Sequence, residues 1–152
     1  MKTDQPLLIV VAGPTGSGKT AFSLNLSEAT GASIISADAR QIYRELKIGS
    51  AAPAAHELEK VPHYFVGTHG IQETFSAGMF ARQARQLLEE KLFHQHPVQI
   101  VCGGSGLYIQ ALLHGMDELP EVDPAIRERL MKTFHAEGLA VLLDELEKKD
   151  PE

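Results

Sequence analysis

Gly13-Pro-Thr-Gly-Ser-Gly-Lys-Thr20 decides the fold. The stretch matches G-x-x-x-x-G-K-[ST], a loop whose inward-turned backbone N–H groups form a nest for phosphate oxygens. Gly13, Pro14, Thr15, Gly16, Ser17 and Gly18 build that nest. Lys19 brings a positive charge to the phosphates, and the Thr20 hydroxyl is the expected ligand of a Mg²⁺ ion. Ahead of the loop, Leu7-Leu-Ile-Val-Val-Ala12 is an uninterrupted apolar run rich in β-branched residues. It predicts a central parallel strand buried on both faces. Behind the loop, Lys19 to Ser27 predicts a helix with Ala21, Phe22, Leu24 and Leu26 packed, its N-terminal dipole aimed at the same anion. Gly31 stops that helix, and Ser33-Ile-Ile-Ser36 predicts a second strand leading to Asp38. Strand, helix, strand over roughly 30 residues is one βαβ unit.

Further along, Pro53, Pro62, Gly67 and Gly70 break the pattern between Ile48 and Thr74, leaving His63-Tyr-Phe-Val66 as a short strand. Ser76 caps a predicted helix running to about Gln95, with Phe80, Ala84, Leu87, Leu88 and Leu92 on one buried face. Val98-Gln-Ile-Val-Cys102 is a third strand; Gly103-Gly-Ser-Gly106 then turns into a helix from Leu107 to about Leu113. Asp123-Pro124 opens a helical tail, split at Gly138, with exposed i, i+4 pairs Asp144/Lys148 and Glu145/Lys149. The pattern is α/β: a P-loop NTPase-like parallel sheet flanked by helices over residues 1–116, then the start of a helical insertion subdomain over 117–152.

Composition narrows the function classes. The 152 residues carry 14 Lys+Arg against 20 Asp+Glu, a formal net charge of −6, which argues against a general nucleic-acid-binding surface. Residues 77–152 hold 8 basic and 13 acidic side chains, so most of the excess lies there. The single cysteine, Cys102, excludes a disulfide framework and suits a reducing, cytoplasmic compartment. No apolar run approaches the roughly 18 residues of a membrane span. Lys2 and Asp4 before the first apolar run do not make a signal peptide, and no feature points to an obligate protein partner. His94 and His96 point to different sides of a helix end, His63 reads as a core or turn histidine, and Cys102 as an inert buried thiol.

The loop does not say which phosphate compound it holds. The third strand runs straight into Gly103 with no metal-binding acid, and Asp38 is the one carboxylate placed at a strand end. Ligands of parallel sheets collect at the carboxyl ends of strands, so Asp38 should face the phosphate site. There it is a metal ligand, a base for an acceptor, or a loop carboxylate capping a turn. The GGSG turn converges on the same edge. Three readings follow: a transferase acting on a phosphate compound and a polar acceptor, a small-molecule kinase using ATP with Asp38 as base, and a phosphate-binding fold without turnover.

GPTGSGKT, IISADARQIY, IGSAAP, VPHYF, FSAGMF, CGGSGLYIQALLHG and the final DP, in this order, resemble the tRNA dimethylallyltransferases, also called tRNA isopentenyltransferases. The resemblance runs along nearly the whole chain and implies the N-terminal half of a longer enzyme, poorly active alone. It implies transfer of a dimethylallyl group from dimethylallyl diphosphate to N6 of the adenosine on the 3′ side of the tRNA anticodon, with Mg²⁺ assisting. The P-loop then holds a diphosphate leaving group, and the target base leaves the anticodon stack to reach it. By resemblance, Asp38 is the base and Ser105 contacts the transferring system. Asp38, Ala39, Arg40, Gln41, Ser105 and Arg127 lie at positions that meet tRNA. Ala39 stands where the family usually has Ser, Ala52 where it has Lys, and Ser50 and Ser105 where it has Thr.

Overall fold

The computed structural model describes residues 5–116 and 123–151. The chain divides into two compact units, Met1–Met116 and Asp117–Glu152. The expected start of the charged tail, from Asp117, lies outside the described residues.

In the first unit, β1 (Leu7–Ala12), β2 (Ile34–Ser36), β3 (His63–Tyr64) and β4 (Val98–Gly103) form one parallel sheet in the order β1-β4-β2-β3. Ala12 pairs with Gly103 and Ser36 with Cys102, so the carboxyl ends of β1, β4 and β2 share one edge. The expectation of a central β1 is corrected: among the described residues β1 has a single neighbour, β4, and Leu7 stays 48% exposed. The centre belongs to β4, whose Gln99, Ile100 and Val101 are buried between β1 and β2. An apolar run reports affinity for a buried sheet; it carries no information about strand order.

Helix α1 (Lys19–Thr30) starts after Gly18 and ends at Gly31, both in the left-handed conformation. Leu24 and Leu26 pack against the cluster around Ile34 and Ile100 as expected, but the rest of the packing face differs. Ser23 and Ser27 are buried, whereas Ala21 is exposed and Phe22 is 59% exposed. Lys19, Ser23 and Ser27 recur every four residues, and that stripe is the one turned to the sheet. The Ser27 hydroxyl meets the need of a buried polar group by donating to the Ala32 carbonyl at 2.5 Å. A short helix α2 (Ala55–Lys60) occupies part of the segment expected to be irregular.

Helix α3 (Ala77–Leu87) begins at Ser76, whose Oγ accepts from the Met79 N–H at 3.2 Å. It continues through a π-helical turn, Leu88–Leu92, into α4 (Phe93–Gln95). Phe80, Ala84, Leu88 and Leu92 are buried as expected, but periodicity alone gives no warning of the wide turn. Buried Gln99 answers it from β4: its Nε2 donates to the carbonyls of Leu92 and His96, both at 2.9 Å. Helix α5 (Gly106–His114) is closed by Arg85, which donates from Nε and Nη2 to the Leu112 carbonyl at 2.8 and 2.6 Å. A guanidinium suits that end, where the last helix carbonyls point.

The second unit holds α6 (Pro124–Glu137) and α7 (Leu139–Lys149). Asp123 caps α6 by accepting from the Ala125 N–H at 2.9 Å, and Gly138, at φ 82°, separates the two helices. Lys148 meets Asp144 at 3.4 Å and Lys149 meets Glu145 at 2.6 Å on the surface. Lys149 holds the Glu145 carboxyl below its ordinary range.

Candidate active site

The loop between β1 and α1 takes its shape from Gly16 and Gly18, at φ 80° and 83°, which side chains other than glycine rarely adopt. Lys19 folds back and donates from Nζ to the Pro14 carbonyl at 2.5 Å, and Ser17 Oγ donates to the same oxygen at 2.8 Å. The loop is thus braced around one carbonyl, with a cation at its mouth.

Asp38 follows β2, and its Oδ1 accepts from the N–H groups of Arg40 at 2.9 Å and Gln41 at 3.3 Å. The carboxylate therefore caps a turn, as the plainest reading had it. Its Oδ2 has no hydrogen-bond partner among the described residues, and Asp38 lines the same cavity as Thr15, Gly16, Lys19, Thr20 and Gln41. Capping a turn fixes the direction of the group and leaves one oxygen for chemistry.

The GGSG turn is laced to that segment. Ser105 Oγ accepts from the Ala39 N–H at 2.9 Å, and the Ser105 N–H donates to the Ala37 carbonyl at 3.2 Å. Gly103 makes this approach possible: a Cβ there would stand 2.1 Å from the Ala37 oxygen. Ser105 thus holds the backbone on one side of Asp38. Arg40 is exposed beside it, and Arg127 is an exposed residue of the second unit.

Ser23, Ile34, Ser36, Ser50, Ala51, Pro53, His63, Cys102 and Gly103 complete the cavity wall. Of these, Ser36 and Ser50 belong to the polar segments, Ser36–Tyr43 and Gly49-Ser50, expected at this sheet edge from the sequence; Ser23, Ala51 and Pro53 were not expected there. Ser23 was legible as the residue one helical turn beyond Lys19. Ala51 reaches the site through a loop path that no local pattern encodes. The hydroxyls of Ser23 and Ser50 are buried without a hydrogen-bond partner among the described residues, so they are free to meet a polar group in the cavity. Cys102 is half-buried, and burial pushes its thiol up from the ordinary value. Ser23 and Lys19 pull the other way more weakly, and the Ser23 hydroxyl makes no well-formed hydrogen bond to the sulfur. A protonated thiol fits the expected inert role, though on the cavity wall. His63 donates from Nδ1 to the Val61 carbonyl at 2.8 Å, the behaviour of a turn histidine.

A parallel sheet, a glycine-rich loop after its first strand and a carboxylate after the next define an α/β protein of P-loop NTPase-like fold. The IPP transferase family model matches residues 41–152, and the chain belongs to that family. It is 50% identical over 145 residues to a tRNA dimethylallyltransferase of Cytophaga hutchinsonii, covering 95% of this chain and 47% of that protein. A second relative, from Chlorobium phaeovibrioides and also described as a tRNA dimethylallyltransferase, is 46% identical over 151 residues. It is covered to 48%, and 99% of this chain is matched. The crystal structure of a tRNA isopentenylpyrophosphate transferase from Bacillus halodurans superposes with a TM-score of 0.71 at 32% identity, over 97% of this chain and 49% of that one. The chain spans about half the length of the curated relatives it matches.

Proposed function

We propose that the protein carrying this chain transfers a dimethylallyl group from dimethylallyl diphosphate to N6 of the adenosine on the 3′ side of a tRNA anticodon. The observation that carries the reading is Asp38, with one oxygen tied into a turn and the other unpartnered, on the same cavity as Lys19 and Thr20. In the reaction, the allylic C1–O bond breaks and the electron pair leaves with diphosphate. The N6 lone pair forms the new C–N bond, and an N6 proton passes to Asp38. That proton matters because the adenine amino lone pair is delocalised into the ring and nucleophilic only as the proton departs. Lys19, the loop N–H groups and the dipole of α1 oppose the charge that builds on the leaving diphosphate.

The donor set suits a magnesium ion carried in with the substrate. Among the described residues no group of three or more His, Cys, Asp or Glu could hold a metal. Thr20 and Asp38 offer one hydroxyl and one carboxylate, and Mg²⁺ ordinarily takes few protein ligands beside phosphate oxygens and water. When bound, the ion neutralises diphosphate charge. Ser105 keeps the Asp38 segment in place. Asp38, Ala39, Arg40, Gln41 and Ser105 of the first unit, and separately Arg127 of the second, belong to the segments that meet the tRNA anticodon stem-loop in this reading. Among the described residues no helix is long and apolar enough to cross a membrane.

The test is label transfer from radiolabelled dimethylallyl diphosphate to unmodified tRNA by the full-length gene product. Transfer that falls at least roughly 100-fold in Asp38→Ala, with tRNA binding retained, is the expected result. ATP-dependent phosphorylation of a small metabolite with no label on tRNA would replace this reading with the kinase one.

A further inference from the structure

We infer that Gln41 is a positioning residue that locks the Asp38 turn to the loop at Ser50–Ala51. The inference rests on the transferase reading above. The carboxamide is engaged inside the protein: Oε1 accepts from the Ser36 hydroxyl at 2.8 Å, while Nε2 donates to the carbonyls of Ser50 at 3.3 Å and Ala51 at 3.2 Å. Carbonyl oxygens only accept, so those two partners fix which end of the amide carries the hydrogens. Both Nε2 hydrogens are used, which leaves Gln41 no donor for a base edge. Its backbone N–H is the second donor to Asp38 Oδ1.

One residue therefore ties three segments together: the last residue of β2, the Asp38 turn and the loop after Ile48. That loop needs a tie. Ala51 sits at φ 51°, a left-handed conformation that costs a non-glycine residue energy, and the surroundings must hold it there. Ser50 beside it is buried with an unpartnered hydroxyl. The N–H groups of Ser50, Ala51 and Ala52 bond back to the carbonyls of Leu46, Ile48 and Lys47, so the two Nε2 bonds are the side-chain anchors that tie this stretch to the Asp38 turn. The turn and the loop both line the cavity. Releasing the amide would let Asp38 drift from the acceptor while the surface that meets RNA, Arg40 included, keeps its charge.

The test compares Gln41→Met, an isostere without the three polar contacts, with Ser36→Ala and the double variant in the full-length gene product. In steady-state transfer to tRNA, Gln41→Met is expected to lower kcat roughly 100-fold, the effect of misplacing a reacting group, with KM for tRNA within about twofold. Ser36→Ala should lower kcat in the same direction, and the double variant should be no worse than Gln41→Met, because both remove one network. A raised KM for tRNA with kcat kept, or Ser36→Ala without effect, would overturn the inference and make Gln41 a direct RNA contact. A second readout needs no turnover. Trypsin cleavage after Lys47, beside Ile48 that is 97% exposed, should speed up roughly tenfold in Gln41→Met when the loop is released. If the wild-type protein transfers no label, the transferase reading fails, and the proteolysis rate alone decides the clamp: an unchanged rate removes it.

Discussion

Gly103→Ala is the substitution that most directly probes how the site is assembled. An added Cβ would lie 2.1, 2.4 and 2.9 Å from the oxygen, carbonyl carbon and Cα of Ala37. All three are backbone atoms, so no rotamer change relieves the clash. To reach ordinary contact near 3.4 Å, β4 and the segment after β2 must separate by more than an ångström. Two hydrogen bonds span that gap, Ala37 N–H to the Cys102 carbonyl at 2.8 Å and Ser105 N–H to the Ala37 carbonyl at 3.2 Å. Overpacking of a tight interior costs about 1–3 kcal/mol. Loss of the two bonds adds roughly 1 kcal/mol each. The alanine recovers about 0.4–1 kcal/mol by stiffening the unfolded chain. The balance is a destabilisation of about 3 kcal/mol, which lowers Tm by roughly 6–12 °C in a chain of this size. Urea denaturation of the 152-residue chain measures it, with Gly106→Ala as control. A Cβ at Gly106 meets nothing within 4 Å, and the residue opens α5, so that variant should be neutral or more stable. A loss below about 0.5 kcal/mol in Gly103→Ala, or an equal loss in the control, would refute close strand approach as the device that joins the GGSG turn to Asp38.

Lys19→Ala should weaken binding of inorganic diphosphate roughly 10- to 100-fold by calorimetry, the worth of a charge-assisted contact, since Lys19 now reaches only the Pro14 carbonyl; unchanged affinity would remove the loop from the phosphate site. Cys102 has its folded-state pKa raised by burial, so folding favours the thiol over the thiolate. The stability this gives is complete below the ordinary value of 9.0 and is lost as pH rises through the folded value. Urea stability measured from about pH 8 to about pH 10 should therefore fall more steeply in the wild type than in Cys102→Ala, and parallel slopes would contradict it.

Much of the site was legible because phosphate chemistry needs particular residues at fixed spacing. The loop from Gly13 to Thr20, the stop at Gly31, the Ser76 cap and the placement of Asp38 after a strand all follow from local rules of backbone freedom and capping. What local pattern could not supply was partnership. Phe22 is apolar on a helix expected to be packed, yet Ser23 and Ser27 face the sheet, because register along α1 is set by where Lys19 must stand. Gln99 interrupts an apolar strand for a reason visible only once the Leu92 and His96 carbonyls lie above it.

By itself, the sequence determined a P-loop-like α/β chain and placed Asp38 at a strand end, on the cavity that the Gly13–Thr20 loop lines. Strand order was a tertiary outcome: β4 enters between β1 and β2, and only then does Gly103 meet Ala37 and Ser105 reach Ala39. The inward turn of Gln41 depends on the path of the loop after Ile48, although its partners lie only 5, 9 and 10 residues away. The Ala39–Ser105 hydrogen bond spans 66 residues and exists only after the sheet has formed, so spacing along the chain does not encode it.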